Sequence, residues 1–557
     1  MAGARQNTAV PDGSAVVERL WAKDPTLWSV DEDKRDSIEK RLGWLAAPAW
    51  LGDHIDELRE RVSKIRALNW QRIVLLGMGG SSLAPAVLAQ IAATGSTAPR
   101  FEVLDSTHPD TVRRVTTHED RANTLFLVSS KSGTTLEVIA LWSYVDGLLR
   151  IDAAAPNEPS QNFVAITDAG TPLEDLAREQ GFLDCFVNPP DVGGRFSALT
   201  YFGMVPAALL GFDLNQLLES IERQALSCQA RTTETNNALL FGWSMGAYAA
   251  QGRNKLTLLL SPEIEPLGVW IEQLLAESTG KEGRGIIPIV NDPLQPLELY
   301  GKDRVCVAIL AKKDDALMAR CGELESAGFP VLRSMTGDTK EIGGEFFRWE
   351  FATAVAGVAL GINPFDEPDV QRNKDTTALF LAGKKVPGQI ALTPCIREGG
   401  LSLIGEPRQF QGLTGVAEGL SHLFKTTRPG DYIAILVWLD ENEALHSQLE
   451  SCRVHIREAL GVPVTLGFGP RYLHSTGQLH KGGSSAGIFL QLTGAARDDI
   501  VIPGHDYSFE ELHGAQADAD LAVLSDLGRR VARVNLGHNP AQGLIEFSSV
   551  LEVALLS

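Results

Sequence analysis

Two segments of the chain follow the same order: a short apolar run, a loop of glycine and hydroxyl residues, and a helix-like stretch. One apolar run covers residues 72–75 and leads into a Gly-Met-Gly-Gly-Ser-Ser loop, and the other covers residues 125–127 and leads into Ser-Ser-Lys-Ser-Gly-Thr-Thr. Short, β-branched or apolar runs of this kind indicate buried parallel strands. The pattern therefore predicts an α/β fold with both loops at carboxyl ends of strands, where open sheets bind ligands.

Both loops have the composition of a phosphate site. Glycine lets the backbone approach an anion, helix-start N–H groups point at it, and hydroxyls with one lysine complete a cradle for a dianion. Each loop alone is equally consistent with a tight strand-to-helix connection. Neither fits the G-x-x-x-x-G-K-[ST] pattern or the spacing of a dinucleotide fingerprint, so a small phosphorylated metabolite is the ligand that remains.

The segment 270–283 supplies a candidate base. Its first half has helical character, which places Gln273 and Glu277 on one face at the end of a helix. A carboxylate that leaves an apolar face for a glycine-containing loop is partly desolvated, and desolvation raises a carboxyl pKa toward the range of a general base. The alternative is a glutamate on the surface of a helix.

Five ordered motifs between residues 79 and 374 resemble those of the phosphoglucose isomerase family. A lysine follows the fifth motif at the spacing that this family shows. The motifs are Gly79-Gly80-Ser81, Ser130-Lys131-Ser132-Gly133-Thr134-Thr135, Val192-Gly193-Gly194-Arg195-Phe196-Ser197, Glu277-Ser278-Thr279-Gly280-Lys281 and Leu360-Gly361-Ile362-Asn363-Pro364-Phe365-Asp366, with Lys374 after the last.

The resemblance implies an α/β fold with two sugar-isomerase (SIS) type doubly wound parallel-sheet domains and an active site in the cleft between them. It implies isomerisation of glucose 6-phosphate and fructose 6-phosphate through an enediol(ate), in glycolysis and gluconeogenesis, without a metal or other cofactor. It also implies a homodimer. The residues that the resemblance places around the phosphate are Gly80, Ser81, Ser130, Lys131, Ser132 and Thr135.

Four further residues receive roles from the same resemblance. Glu277 would move the proton between C2 and C1, and Gln273 would orient the substrate. Arg195 would stabilise negative charge on the enediolate, a role that suits a fixed guanidinium. Lys374 would assist opening of the sugar ring.

The chain departs from the family at the histidine that relatives use for ring opening. It has no histidine between His118 and His422, and Glu367 stands where many relatives have glutamine. The polar stretch 469–483 contains His474 and His480, and either could reach a sugar site, including that of a neighbouring subunit. The sequence alone does not decide which residue opens the sugar ring.

Two segments suggest a narrower relationship. Residues 472–483 and 346–354 look like the isomerase half of bifunctional transaldolase/phosphoglucose isomerase proteins. The isomerase-like part begins by about residue 40, so we expect no transaldolase half.

Composition excludes several partners. The net charge is −20, which argues against nucleic acid and anionic membranes. The six cysteines are scattered, and no pattern of metal ligands occurs. The N-terminus lacks the apolar core of a signal peptide, and no apolar run is long enough to span a membrane. We therefore expect a cytoplasmic enzyme that binds a small sugar phosphate and no metal.

The chain divides by pattern into four parts. An N-terminal helical segment covers residues 1–69, SIS-type domains cover 70–220 and 221–385, and a smaller C-terminal α/β domain covers 386–557. Two alternatives to a glucose-6-phosphate isomerase remain: an isomerase that also accepts mannose 6-phosphate, and a sugar-phosphate-binding regulator without turnover. Retention of Glu277, Arg195 and Lys374 together argues against the regulator, because a sensor does not need the base.

Overall fold

The computed structural model describes residues 13–92, 99–117, 119–151, 158–311, 314–384 and 392–557. The first twelve residues of the predicted N-terminal segment and the predicted boundary at 385/386 lie outside this range. The chain forms two compact units. Of the described residues, those within 1–105, 117–292 and 304–366 form the first unit, and those within 106–116, 293–303 and 367–557 form the second. The four-part division stays a prediction.

The first unit contains a five-stranded parallel sheet in the order β2-β1-β3-β4-β5. Strands β1, β3 and β4 are buried along their whole length, as expected for continuous apolar runs covered on both faces. The strands are β1 (Arg72–Gly77), β2 (Arg100–Leu104), β3 (Thr124–Ser129), β4 (Phe163–Asp168) and β5 (Asp184–Asn188).

A second parallel sheet in the same unit has four strands in the order β7-β6-β8-β9. Its longest strand, β8, is buried at all eight positions. The strands are β6 (Lys255–Leu260), β7 (Ile287–Ile289), β8 (Arg304–Ala311) and β9 (Val331–Thr336).

The second unit contains a six-stranded mixed sheet in the order β10-β11-β15-β14-β12-β13. Strands β10 and β11 are antiparallel, and β15, β14, β12 and β13 are parallel to one another. The strands are β10 (Ile396–Glu398), β11 (Leu401–Ile404), β12 (Tyr432–Trp438), β13 (Val464–Phe468), β14 (Gly487–Thr493) and β15 (Arg530–Asn535).

The parallel strands of all three sheets share one order. The first strand along the chain has the second on one side and the third on the other, with the fourth beyond the third. Such an order reverses between the first and third strands, and the crevice outside their carboxyl ends is the usual ligand site of an open α/β sheet. The sheets thus offer equivalent positions at β1/β3, β6/β8 and β12/β14.

Helices connect and cover the strands. In the described residues α5 and α14 to α19 belong to the second unit and the others to the first. The helices are α1 (Gly13–Trp21), α2 (Glu32–Glu39), α3 (Ala47–Arg66), α4 (Leu83–Ala92), α5 (Pro109–Thr116), α6 (Leu136–Ile151), α7 (Pro172–Gln180), α8 (Tyr201–Leu209), α9 (Leu214–Ser227), α10 (Asn237–Ala250), α11 (Leu267–Thr279), α12 (Asp315–Ser326), α13 (Ile342–Leu360), α14 (Pro368–Leu381), α15 (Val416–Phe424), α16 (Glu443–Leu460), α17 (Gly477–Gly482), α18 (Phe509–Asp526) and α19 (Pro540–Leu556).

Helix α13 is the central helix of the first unit's core. A Cβ on Gly242 of α10 would lie 2.2 Å from the Ala352 carbonyl oxygen, so glycine is needed where these helices touch. The N-terminal helical segment packs on α13 as well, because the Trp28 indole donates to the Ala354 carbonyl at 2.9 Å. No helix in the described residues is long and apolar enough to cross a membrane.

The predicted α/β class with parallel sheets is confirmed. The two apolar runs that predicted strands, residues 72–75 and 125–127, lie within β1 and β3.

Candidate active site

The two phosphate-type loops lie side by side. Strands β1 and β3 pair in parallel with Gly77 opposite Ser129, so the loops that follow them leave the sheet at neighbouring carboxyl ends. The Ser129 hydroxyl donates to the Ser81 carbonyl at 3.0 Å and ties the loops together. Gly80, Ser81, Ser130, Lys131, Ser132 and Thr135 therefore gather at the position where the strand order reverses.

The second loop is shaped for a helix start. The hydroxyls of Ser130 and Thr135 are 2.8 Å apart, across the turn that leads into α6. Gly133 has a φ of +65°, and a Cβ there would lie 2.7 Å from the Leu173 amide nitrogen, so only glycine fits. Ser130 is buried, Lys131 and Thr135 are half-buried and Ser132 is exposed. The loop thus presents hydroxyls and the start of a long helix at the surface, which suits an anion.

The first loop touches the segment that carries Arg195. A Cβ on Gly80 would lie 2.1 Å from the carbonyl oxygen of Gly194, so the two backbones approach as closely as glycine permits. Lys131 lies beside Gly194 and forms an ion pair with Asp168 at the end of β4. Burial raises the pKa of the Asp168 carboxyl, Lys131 opposes that shift, and Asp191 adds to it.

Arg195 is buried and held on three sides. Its Nε donates to the Ser278 hydroxyl at 2.7 Å, and its Nη2 donates to the carbonyls of Pro364 at 2.6 Å and Asp366 at 2.9 Å. Its Nη1 lies 3.9 Å from Oε2 of Glu277. The guanidinium plane is fixed by these bonds, with one nitrogen toward the glutamate.

Glu277 lies in the last turn of α11 with its side chain 10% exposed. Gln273, one turn earlier on the same helix, is also buried. The structure thus brings the predicted base and the predicted orienting residue together, as the four-residue spacing requires.

The segment 363–366 anchors the carboxyl end of α11. Lys281 donates to the Asn363 carbonyl at 2.7 Å, and its ammonium is 2.8 Å from a carboxylate oxygen of Asp366. Because Arg195 bonds to carbonyls of the same segment, three of the five motifs meet there.

The three remaining predicted residues belong to the second unit. Lys374 is exposed on α14, and His474 is half-buried in the turn after β13. His480 on α17 is buried, with its ring centroid 5.0 Å from that of Phe489. Burial, with Lys481 and Arg529 nearby, holds the pKa of His480 well below its ordinary value.

The sequence analysis did not identify Asp168 or Ser278 as site residues. Asp168 ends β4, a strand of the same sheet that carries both loops, and this position was the available signal. Ser278 lies inside a recognised motif, but its role as acceptor for Arg195 depends on a segment far away in the chain. Among the described residues no group of three or more His, Cys, Asp or Glu could hold a metal ion.

Parts of this sequence are similar to those of known proteins. Residues 53–286 match the family model described as phosphoglucose isomerase. A probable glucose-6-phosphate isomerase from Methanococcus maripaludis is 26% identical over 397 residues, which cover 64% of this chain and 88% of that protein. A glucose-6-phosphate isomerase from Leptospira biflexa is 26% identical over 393 residues, which cover 62% and 87%.

A solved structure shares the fold. The crystal structure of a glucose-6-phosphate isomerase from Chlamydia trachomatis aligns with a TM-score of 0.52 at 20% identity. The alignment covers 66% of this chain and 77% of that chain. About two thirds of this chain therefore shares the fold of that structure.

Proposed function

We propose that this chain, a homologue of glucose-6-phosphate isomerases whose residues 53–286 match the phosphoglucose isomerase family, interconverts glucose 6-phosphate and fructose 6-phosphate. One observation carries the proposal. The buried Glu277 carboxylate lies 3.9 Å from a guanidinium nitrogen of Arg195, and the Arg195 segment touches the Gly80 loop.

The chemistry requires a base and a stabiliser of charge. The proton next to a sugar carbonyl is weakly acidic, so its removal needs a positioned base and donors aimed at the oxygen where charge develops. Glu277 takes the proton from one carbon and returns it to the other. Arg195 stabilises the enediolate, and its bonds to Ser278, Pro364 and Asp366 orient it before the substrate arrives.

The phosphate is held away from the reacting carbons. We assign phosphate binding to the two loops that follow the paired strands β1 and β3. The groups that bind the dianion are the hydroxyls of Ser130, Ser132 and Thr135, the backbone at Gly80 and Ser81, and the Lys131 ammonium. Binding energy gained there positions the sugar for proton transfer. An unphosphorylated sugar is therefore expected to lose rate as well as affinity.

We propose that Lys374 and His474 take part in ring opening. Lys374 is exposed and His474 is half-buried. We assign the acid role to His474 and not to His480, since the latter is 3% exposed and packs on Phe489. Gln273 orients the substrate from its place beside Glu277 on α11.

Subtype, assembly and location complete the proposal. The segments at 346–354 and 472–483 support a relationship to the isomerase half of bifunctional transaldolase/phosphoglucose isomerase proteins. We further propose a cytoplasmic homodimer. Turnover of mannose 6-phosphate and a purely regulatory role are less favoured, because the relatives are named as glucose-6-phosphate isomerases and a sensor needs no base.

The test is a coupled assay of glucose 6-phosphate formation from fructose 6-phosphate in EDTA. Glu277→Gln keeps the shape of the side chain but removes the base, so we expect turnover to collapse while calorimetry shows near-normal binding of fructose 6-phosphate. Glu263→Gln, an exposed position before α11, is the matched control and keeps full activity. Undiminished turnover in Glu277→Gln contradicts the assignment, and an inactive but sugar-phosphate-binding wild type supports the regulator.

A further inference from the structure

Cationic side chains from distant parts of the first unit converge on the turn 360–366, which follows α13. A helix leaves carbonyl groups without partners at its carboxyl end, and the negative end of its dipole attracts cations. In this turn the carbonyl of Leu360 accepts from Arg284, that of Asn363 from Lys281, that of Phe365 from Arg41, and those of Pro364 and Asp366 from Arg195.

The turn is held in one shape by its own residues. The Asn363 side chain accepts a hydrogen bond from the Phe365 amide at 3.0 Å, which closes the chain locally. A Cβ on Gly357 would lie 2.8 Å from Cγ of Pro364, so the proline ring packs directly on α13. The carbonyls of the turn therefore point in fixed directions.

Lys281 holds the part of the turn to which Arg195 bonds. Its ammonium donates to the Asn363 carbonyl at 2.7 Å and lies 2.8 Å from Oδ1 of Asp366. Nη2 of Arg195 donates to the carbonyls of Pro364 and Asp366. The two cations thus bind the same four residues, and Asp366 meets Lys281 through its carboxylate and Arg195 through its carbonyl.

Stability alone does not account for the pairing of Lys281 with Asp366. Lys281 is 4% exposed, whereas the Asp366 side chain is 33% exposed. Taking an ammonium out of water costs free energy that offsets most of its attraction to a carboxylate. Such a pair contributes little net stability, and its main effect is on where the bound groups lie.

The carboxyl end of α11 controls Arg195 from two sides. Nε of Arg195 donates to the Ser278 hydroxyl at 2.7 Å, and Nη2 is held by the turn that Lys281 binds. A planar guanidinium fixed through Nε and Nη2 cannot rotate, so the direction of Nη1 is set. Nη1 lies 3.9 Å from Oε2 of Glu277 on the same helix.

We propose that Lys281 is a positioning residue for the isomerisation, which fixes the segment 363–366 and through it aims Nη1 of Arg195 at the oxygen where enediolate charge develops. The inference rests on the proposed function, since it assigns Lys281 a part in the role of Arg195. A preoriented donor stabilises the transition state more than the bound substrate. Loss of Lys281 therefore lowers kcat and leaves KM nearly unchanged.

The test is a double-mutant cycle between Lys281→Met and Arg195→Met, with kcat and KM for fructose 6-phosphate measured in the coupled assay. With Arg195 present, we expect Lys281→Met to lower kcat ~10–100-fold, a loss within the range that a misplacement of about 1 Å causes. In the Arg195→Met background we expect it to change kcat by less than about twofold, because residues that act through one group are not additive.

Two further variants complete the experiment. Arg284→Met is the matched control, because Arg284 lies in the same loop as Lys281 but donates to Leu360, outside the segment 363–366. We expect it to keep the wild-type kcat. Asp366→Asn keeps the shape of the side chain and weakens the same contact with Lys281. We expect a smaller fall in kcat that also disappears in the Arg195→Met background, and this variant carries the test if Lys281→Met does not fold.

The outcomes separate this inference from the proposed function. Equal losses of kcat with and without Arg195 would mean that Lys281 acts directly on the substrate or on the fold as a whole, and would overturn the inference alone. A wild-type kcat in a folded Lys281→Met variant overturns it as well. A wild type that does not isomerise fructose 6-phosphate overturns the proposed function and this inference together.

Discussion

At the scale of single residues, the proposed reaction depends on how firmly hydrogen bonds hold the Arg195 guanidinium. Three hydrogen bonds orient the guanidinium, and the remaining nitrogen lies toward Glu277. Loss of one such preorganised donor costs about 2.7–4 kcal/mol of transition-state stabilisation, or ~10²–10³ in kcat. We therefore expect Arg195→Met to lower kcat by that factor in the coupled assay. Arg195→Lys keeps the charge but loses the planar guanidinium with its paired N–H donors, so we expect its kcat to stay well below the wild-type value. A wild-type kcat in Arg195→Met, in a variant that melts normally, contradicts the role.

Gly80 gives a second prediction at this scale. Its missing Cβ lets the phosphate loop approach Gly194, and a methyl group there would lie 2.1 Å from a carbonyl oxygen. We expect Gly80→Ala to displace the loop and raise KM for fructose 6-phosphate at least tenfold. Gly193→Ala, where the nearest atom to a new Cβ is 3.9 Å away, is the control and should stay near wild type. Equal KM values in both variants would show that the close approach does not matter for binding.

The sequence identified Gly80, Arg195 and Glu277 because each lies in a recognisable motif. It did not identify Asp168, which pairs with Lys131, or Ser278, which accepts from Arg195. These partners lie far from each other in the chain. Their roles follow from which strand and helix ends meet, and local patterns do not encode that.

At the scale of elements, α13 carries a carboxyl group in the core of the first unit. Glu350 is fully buried, and neither of its carboxyl oxygens has a hydrogen-bond partner in the described residues. Burial raises the pKa of Glu350 well above its ordinary value of 4.5. Above pH 4.5 the folded chain therefore keeps a proton on Glu350 that the unfolded chain releases. The free energy of unfolding consequently falls as pH rises above 4.5.

Replacement of Glu350 tests the direction of this pH dependence. Glu350→Met removes unpaired polar atoms, so we expect the unfolding free energy to rise by about 1–3 kcal/mol at neutral pH and its dependence on pH to weaken. Glu345→Met is the contrasting variant, because Glu345 is paired with Arg348 at 2.5 Å and its removal should destabilise. Urea titrations at several pH values measure both. Destabilisation by Glu350→Met would mean that the carboxyl group is needed where it is.

Some strands are evident from the sequence and others are not. The continuous apolar runs of β1 and β3 were recognised, because full burial on both faces requires them. Strand β15 has no such run, because arginines stand at two of its six positions. One of these, Arg533, is buried only through its bonds to Asp518 and Gln491, which the sequence does not reveal.

At the scale of the whole molecule, each unit has its own buried polar centre. In the second unit the Lys481 ammonium lies 2.6 Å from Asp520, and the Tyr472 hydroxyl donates to the same carboxylate at 2.6 Å. Both partners, Lys481 and Tyr472, come from the stretch 469–483, which was singled out from the sequence as a polar stretch with two candidate histidines. Part of that stretch thus serves the packing of the second unit.

Breaking this pair should unfold the second unit first. Lys481→Met leaves the Asp520 carboxylate buried without its ammonium, and loss of one partner of a buried pair costs about 3–5 kcal/mol. We expect calorimetric scans to show a lowered transition for the second unit. Lys374→Met, an exposed position on α14, is the control for stability. An unchanged scan for Lys481→Met would contradict the structural role of the pair.

Proton transfer by Glu277 is the central claim, and one measurement tests it most directly. Fructose 6-phosphate is incubated with the enzyme in D₂O and EDTA, and proton NMR follows deuterium entering C1 and C2 of the sugar phosphates. We predict deuterium incorporation by the wild type and by Glu263→Gln, and none measurable above background by Glu277→Gln. Incorporation at the wild-type rate by Glu277→Gln, or no isomerisation by the wild type until a metal ion is added, would contradict the account.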